Sequence, residues 1–147
     1  MQKLTSNRAL LLVEDNEDDV FLMRRALKEA GITNPLYVVE DGQAAMDYLA
    51  GEGDYADRAR HPVPALVFLD INLPMKTGHE VLSWMRRKSM ETVVVMLTAS
   101  AEPGDLKRAY QLGANSYVVK PPTAEQLVDL AKAFRWYWLK FNEFEPV

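Results

Sequence analysis

The stretch Ala65-Leu-Val-Phe-Leu-Asp-Ile-Asn-Leu-Pro74 joins a short apolar run to an aspartate and then to a proline. A continuous run of this kind, without alternating polar residues, is typical of a strand that is buried on both faces of a sheet. Four further short apolar runs lie at residues 9–13, 36–39, 92–97 and 116–119. Together with residues 65–69, they predict five buried strands.

Segments with a helical spacing of apolar residues lie after each of these strands. They cover residues 17–30, 43–50, 79–88, 103–112 and 123 to about 141. Thr123 and Gln126 predict a capping box at the start of the last helix. Regular alternation of strands and helices predicts an α/β fold, a doubly wound parallel sheet with helices on both faces. The irregular stretch 51–64 is long for a connection in a compact domain, and such loops are often functional or mobile.

The composition limits the classes of function. The chain has 147 residues, no cysteine, and 17 basic against 21 acidic residues, which gives a net charge of −4. An acidic chain of this length predicts one domain and disfavours nucleic acid as a partner, because binding to phosphates needs a basic surface. The lack of cysteine excludes thiolate metal sites. No apolar stretch has the roughly 20 residues of a membrane span, so we expect a cytoplasmic protein with no membrane partner.

Charged and hydroxyl side chains follow four of the predicted strands, at the point where each ends. They are Glu14 and Asp15, then Asp70, Thr98 and Lys120. The carboxyl ends of parallel strands meet at one edge of a sheet, where ligands bind in folds of this type. Carboxylates this close repel each other unless a cation lies between them, and an all-oxygen ligand set favours Mg²⁺. The sequence therefore predicts a magnesium site at this edge.

A magnesium ion beside a carboxylate, a lysine and a hydroxyl group is suited to phosphoryl transfer. Asp70 would act as the nucleophile and form an acyl phosphate. Lys120 would neutralise charge on the transferred group, and Thr98 would donate a hydrogen bond to it. The acidic residues 17–19 have a simpler explanation, since acidic side chains in the first turn of a helix interact favourably with its dipole.

This pattern resembles the receiver domain of two-component response regulators, over nearly the whole chain. The matching residues are Glu14, Asp15, Asp70, Pro74, Gly78, Thr98, Ala99, Tyr117, Val118, Val119, Lys120 and Pro121. The resemblance implies the flavodoxin-like fold, a five-stranded parallel sheet of order 2-1-3-4-5 flanked by five helices. It also implies a phosphoacceptor in a histidine-to-aspartate signalling system, which signals through protein–protein contacts.

The resemblance implies a metal-binding role for four residues. Asp70, the phosphoacceptor, and Asp15 bind Mg²⁺ directly. Glu14 contributes through a water molecule, and Asn72 contributes its backbone carbonyl.

The resemblance also implies how the phosphoryl group is held and sensed. Thr98 and Lys120 bind the phosphoryl group, and Thr98 moves with its loop when the group arrives. Tyr117 is the aromatic residue that reports this movement. The Lys120–Pro121 peptide bond is cis in the family.

The end of the chain suggests how the signal leaves the protein. Few residues follow the last predicted helix, so we expect a single receiver domain over residues 1–147, with a core of about 8–141 and no output domain. One face of this helix is apolar and should cover the sheet; it carries Leu127, Ala131, Phe134, Trp138 and Phe141. Large apolar side chains also lie on its other sides, which predicts a homodimer through Trp136, Tyr137 and Leu139.

The long loop and the aromatic last helix are similar to those of the dimeric single-domain regulators that partner bacterial phytochromes. The resemblance therefore implies a sensor histidine kinase as the partner, and a bacteriophytochrome within that class.

One alternative function is a magnesium-dependent phosphohydrolase that forms an aspartyl phosphate, as in the haloacid dehalogenase class. Those enzymes use a second aspartate, two residues after the nucleophile, as a general acid. Asn72 occupies that position here and cannot transfer a proton in the same way. We therefore expect a phosphoacceptor and not a turnover enzyme.

Overall fold

The computed structural model describes residues 4, 5 and 7–143. It contains the strands β1 (Leu10–Val13), β2 (Leu36–Val39), β3 (Leu66–Leu69), β4 (Val93–Thr98) and β5 (Ser116–Val119). These pair in parallel in the order β2-β1-β3-β4-β5. The strand order confirms the flavodoxin-like fold, and each predicted strand end lies within one residue of the observed end.

The strands alternate with α1 (Glu17–Glu29), α2 (Gly42–Ala50), α3 (Gly78–Arg87), α4 (Pro103–Gln111) and α5 (Ala124–Phe134). Four of these helices begin with a side chain that accepts a hydrogen bond from an amide of the first turn; the capping residues are Asn16, Asp41, Thr77 and Thr123. A complete capping box joins Thr77 and Glu80. At α5, the Gln126 side chain accepts a hydrogen bond from the Thr123 hydroxyl, so the structure confirms the cap but not the reciprocal half of the predicted box.

The register of the sheet brings the ends of its strands into line. Val13 pairs with Leu69, Leu69 with Met96, and Met96 with Tyr117. The residues just beyond these positions lie along one edge of the sheet, because parallel strands all run in the same direction. This edge carries the charged and hydroxyl side chains that the sequence predicts to form the site.

Alternate residues of each strand point to opposite faces of the sheet, and each face has its own core. In β1, Leu10 and Leu12 pack with residues of α1 and α5, whereas Leu11 and Val13 pack with residues of α2, α3 and α4. All four side chains are buried. Both faces are covered, which explains why the strands are apolar along their whole length.

The last helix changes type after Phe134. Residues Arg135–Phe141 form a π-helix, whose wider turn shifts the following side chains away from the α-helical pattern. Trp138 and Leu139 both pack against the core, whereas Phe141 is 66% exposed. The predicted inward position of Phe141 and outward position of Leu139 are therefore wrong. No helix of the described residues, this one included, is long and apolar enough to cross a membrane.

Three rings of this segment form an exposed surface, which we call the C-terminal aromatic surface: Trp136, Tyr137 and Phe141. The rings of Trp136 and Phe141 are stacked, with their centroids 5.8 Å apart. The Lys140 ammonium lies 4.4 Å from the centroid of the Trp136 ring, within the range of a cation–π interaction. The surface is therefore preorganised by contacts within the segment itself.

The long loop of residues 51–64 is held against the end of α2. Arg58 donates hydrogen bonds to Tyr48 O at 2.8 Å and to Leu49 O at 3.0 Å. It also donates to His61 O at 3.2 Å, within the loop itself. The Tyr48 hydroxyl donates to Pro62 O at 2.9 Å. Arg58 thus joins the loop to carbonyl groups in the last turn of α2, the part of a helix where carbonyls lack their i+4 partners.

Candidate functional site

Three carboxylates meet at the edge of the sheet where β1 and β3 end. Glu14, Asp15 and Asp70 each offer one oxygen, and these oxygens lie within 4.8 Å of one another. Glu14 and Asp70 are buried, whereas Asp15 is exposed. Backbone hydrogen bonds fix the residues that follow β1 and β3. The Glu14 amide donates to Val39 O at 3.0 Å, and the Asp70 amide donates to Val13 O at 3.3 Å.

The Lys120 ammonium group lies among these carboxylates. It donates hydrogen bonds to Glu14 Oε2, to Asp70 Oδ2 at 3.0 Å and to Asp19 Oδ2 at 3.0 Å. A lysine ammonium has three donors, so all of them are used. The sequence predicts only a helix-dipole role for Asp19, and its ion pair with Lys120 is an addition to the predicted site.

Burial and charge act in opposite directions on this cluster. Burial favours the neutral form of Lys120, but the hydrogen bonds with Glu14, Asp70 and Asp19 outweigh this effect and raise the pKa of its ammonium group. Burial raises the pKa of the Glu14 carboxyl, against the lowering effects of Lys120 and of the Asn16 amide. Lys120 therefore remains protonated and offsets part of the negative charge, because a charged partner favours the charged form.

The ligand set of the cluster fits a hard divalent cation. Glu14, Asp15 and Asp70 supply carboxylate oxygens, which are the ligands that hard ions such as magnesium, calcium and manganese prefer. The exposure of Asp15 leaves this side of the cluster open to water. These three residues could hold a divalent metal ion beside the carboxylate of Asp70.

The connection from β3 to α3 wraps closely around Asp70. The Asn72 amide donates to Asp70 Oδ1 at 3.2 Å, and the Gly78 amide donates to Ile71 O at 2.9 Å. A Cβ atom at position 78 would lie 2.1 Å from Asp70 O, closer than any side chain can approach. Glycine at this position therefore allows α3 to begin directly against Asp70.

The ends of β4 and β5 are joined to the loop that leads into α4. Thr98 is completely buried, and its Oγ1 accepts a hydrogen bond from the Ser100 amide at 3.3 Å. The Tyr117 hydroxyl donates to Ser100 O at 2.9 Å, and burial raises the pKa of this hydroxyl. Ser100 Oγ in turn donates to Asp105 Oδ2 at 2.6 Å. Ser100 thus connects β4, β5 and α4.

Most of the predicted site is assembled at this edge. Glu14, Asp15, Asp70 and Lys120 come together as the sequence predicts, while the hydroxyl of Thr98 is engaged with its own loop. The sequence holds one weak signal for the contact between Asp19 and Lys120. Asp19 lies three positions after the capping residue Asn16, in the first turn of α1, which begins close to the end of β1.

The peptide bond between Lys120 and Pro121 is trans, since the described residues contain no cis peptide bond. The cis form that the resemblance implies is therefore wrong for this structure. The two forms differ by only about 0.5–1 kcal/mol before proline, so the local context decides between them.

The response regulator receiver domain family matches residues 10–132 of the chain. The chain belongs to this family. The match includes all five strands and the acidic cluster, and the acidic cluster fits phosphorylation of an aspartate with a bound divalent metal.

Relatives of similar length support this membership. Probable methanogenesis regulatory protein FilR2 of Methanothrix harundinacea is 38% identical over 135 residues, which cover 90% of this chain and 84% of that protein. Response regulator Rcp1 of Synechocystis is 34% identical over 90% of both chains. The chain is therefore a receiver that resembles regulators from both Methanothrix harundinacea and Synechocystis.

Two crystal structures share its fold closely. The manganese-bound form of Rcp1 superposes with a TM-score of 0.83 and 33% identity, over 95% of this chain and 99% of that chain. The phosphorylated cyanobacterial phytochrome response regulator RcpA superposes with a TM-score of 0.85 and 34% identity, over 93% and 97%. The chain is thus similar to phytochrome response regulators in both sequence and fold.

Proposed function

We propose that Asp70 accepts a phosphoryl group from a histidine of a sensor kinase, with Mg²⁺ bound at the acidic cluster. The observation that carries the proposal is the placement of Asp70 beside Glu14 and Asp15, with Lys120 at 3.0 Å. The phosphorylated state of RcpA, a relative with the same fold, supports it.

The transfer is a displacement at phosphorus. An oxygen of the Asp70 carboxylate forms the new P–O bond, the P–N bond of the kinase phosphohistidine breaks, and its electron pair goes to the imidazole nitrogen. Lys120 offsets negative charge on the phosphoryl oxygens. Thr98 donates a hydrogen bond from its own O–H to one of them, because its Oγ1 acts as the acceptor in the bond with the Ser100 amide.

Magnesium is the divalent ion that suits this chemistry, because it takes few protein ligands and retains positions for water and phosphate. When bound, it neutralises charge on the transferring group. In the proposal Asp15 and Asp70 bind the ion directly, and Asn72 supplies its backbone carbonyl. Glu14 acts through water, in keeping with the use of its Oε2 by Lys120. The manganese-bound form of Rcp1 supports the binding of a divalent ion.

The signal would leave the site through Tyr117. Movement of Thr98 toward the phosphoryl group shifts the loop that carries Ser100, and Tyr117 follows because its hydroxyl is bonded to Ser100 O. The surface that changes is formed by α4, β5 and α5. A local change of charge thereby alters the population of two states of this surface.

Two finer proposals concern the partners. The kinase is a phytochrome of the bacteriophytochrome type; the likeness to RcpA, a phytochrome response regulator, supports a phytochrome as the partner. The protein forms a homodimer through its last helix. Of the residues predicted for this contact, Trp136 and Tyr137 are exposed, while Leu139 packs partly against the core. The proposed interface is therefore the C-terminal aromatic surface, in which Phe141 takes the place of Leu139.

Intact-mass spectrometry after incubation with acetyl phosphate and magnesium tests the phosphoacceptor function. The native protein should gain one phosphoryl group. Asp70→Asn should gain none, and a chelator should abolish the gain. A native protein that stays unmodified would contradict the proposal.

The phosphohydrolase alternative predicts a different result. A hydrolase would turn over many equivalents of an organic phosphate such as p-nitrophenyl phosphate, whereas a receiver takes one phosphoryl group per chain and releases it slowly. Asn72 follows Asp70 where a hydrolase needs an acid, so we expect negligible turnover. Sustained release of p-nitrophenol by the native protein, lost in Asp70→Asn, would favour the hydrolase.

A further inference from the structure

Asp19 contacts Lys120 but is not one of the residues that carry the receiver pattern. Its Oδ2 lies 3.0 Å from Lys120 Nζ. We propose that Asp19 is a positioning residue for Lys120, and that a phosphoryl oxygen displaces its carboxylate from Lys120 when Asp70 is phosphorylated. This inference rests on the proposed role of Asp70 as the phosphoacceptor.

A short chain of hydrogen bonds fixes Asp19 in this position. The Asn16 amide donates to Glu14 Oε1 at 3.1 Å, and Asn16 Oδ1 accepts from the Asp19 amide at 3.0 Å. One residue, the cap of α1, therefore holds both the end of β1 and the first turn of the helix. Glu14 and Asp19 consequently present their carboxylates to the same ammonium group.

Lys120 has no spare donor for an incoming phosphoryl oxygen. Its three N–H groups are bonded to Glu14, Asp19 and Asp70, and an ammonium carries only three. Binding of a phosphoryl oxygen therefore requires one of these bonds to be given up.

The bond to Asp19 is the one that is released at the lowest cost. The side chain of Asp19 is 40% exposed, against 3% for Glu14 and 8% for Asp70. A carboxylate that is partly in water regains hydration when it leaves its partner, whereas the buried carboxylate of Glu14 would be left as an uncompensated charge. Asp70 loses its own carboxylate charge when it is phosphorylated, but the phosphoryl group it gains carries about 1.5 to 2 negative charges and attracts Lys120 more strongly than Asp19 does. Asp19 therefore holds Lys120 in the unphosphorylated protein and yields it to the phosphoryl group.

The carboxylate of Asp19 and the phosphoryl group therefore compete for one N–H donor of Lys120. Neutralising Asp19 removes the competitor and also removes a negative charge beside the place where the phosphoryl group binds. Asp19→Asn should therefore increase both the rate of phosphorylation and the affinity for a phosphoryl mimic. The expected increase is about two- to fivefold, the range for loss of a half-exposed ion pair.

Asp18→Asn is the matched control. Asp18 lies in the same first turn of α1, so this variant removes the same charge from the same helix end. Asp19→Glu keeps the carboxylate and should behave much like the native protein. Urea midpoints of all variants establish that each is folded.

The test uses a small phosphodonor and a mimic, which avoids any contact between α1 and a kinase. Initial rates with acetyl phosphate at saturating magnesium are followed by intact mass, and the affinity for beryllofluoride is followed by fluorine NMR. We expect Asp19→Asn to be faster and tighter than native, and Asp18→Asn to match native. Equal behaviour of Asp19→Asn and Asp18→Asn would reduce Asp19 to a helix-dipole residue and overturn the inference.

Two further outcomes are decisive. Slower phosphorylation and weaker binding in Asp19→Asn would mean that Asp19 supports Lys120 in the phosphorylated state, which also overturns the inference. A native protein that neither accepts phosphate nor binds beryllofluoride would overturn the proposed function together with the inference.

Discussion

Lys120 is the residue on which the charge balance of the site depends. Its ammonium bridges Glu14 and Asp70, both of which are buried. Lys120→Met leaves these carboxylates without that partner, so we expect a loss of about 3 kcal/mol in the free energy of unfolding, the low end of the range for breaking a buried ion pair. Magnesium should restore much of this loss, because a divalent ion replaces the missing charge.

Urea unfolding with and without magnesium measures this effect. Lys107→Met, a change at an exposed lysine of α4, is the control for loss of a positive charge. Magnesium should stabilise Lys120→Met more than it stabilises the native protein. If Lys120→Met loses the same free energy of unfolding with and without magnesium, binding of the ion at the acidic cluster would be contradicted.

Tyr117 ties β5 to the loop that follows β4, through its bond to Ser100 O. Tyr117→Phe keeps the ring but loses this bond, which should cost about 1 kcal/mol and loosen the loop. Hydrogen exchange of the amides at residues 100–102 should become faster. Tyr110→Phe, at an exposed tyrosine of α4, should leave it unchanged. Unaltered exchange in Tyr117→Phe would mean that the hydroxyl does not hold the loop.

At the scale of single residues, the sequence predicts the side chains whose positions depend only on the ends of strands. Glu14, Asp15 and Asp70 end two apolar runs, so the topology of a parallel sheet is enough to bring them together. The contact of Asp19 with Lys120 depends in addition on the rotation of α1 relative to the sheet edge. That rotation is set by packing and not by the spacing of residues along the chain.

The position of the long loop, residues 51–64, depends strongly on a single side chain. Arg58 binds the last carbonyls of α2 and one carbonyl of the loop. Arg58→Ala should lower the free energy of unfolding by about 1–2 kcal/mol, since several hydrogen bonds to a charged group are lost together.

The same variant should expose the loop of residues 51–64 to exchange and to proteases. Arg60→Ala, a change at an exposed arginine of the same loop, is the matched control and should have little effect. Equal protease sensitivity of the two variants would contradict the role of Arg58.

The sequence predicts the positions of the strands well, but it predicts the last helix only in part. Short apolar runs bounded by polar residues leave little choice of strand position, which explains the agreement within one residue. The α-helical period predicts an inward Phe141, but the π-helix after Phe134 widens the turn and moves Phe141 outward. Nothing in the spacing of residues 135–141 marks this change of helix type.

For the whole molecule, the C-terminal aromatic surface is the feature on which the proposed dimer depends. Trp136 is 52% exposed and Tyr137 is 55% exposed, and such residues are favoured anchors of protein interfaces. Trp136→Ala should shift the protein from dimer to monomer in sedimentation velocity. Phe21→Ala, which removes an exposed ring from α1, should leave the mass unchanged. A native protein that sediments as a monomer would contradict the proposed dimer.

Every role proposed for the site depends on phosphorylation of Asp70. Borohydride reduction after incubation with acetyl phosphate and magnesium identifies the phosphorylated residue, because it converts an aspartyl phosphate into homoserine at that position. Peptide mass spectrometry should find homoserine at position 70. Homoserine at position 15 or at another aspartate, or at no position at all, would contradict phosphorylation of Asp70.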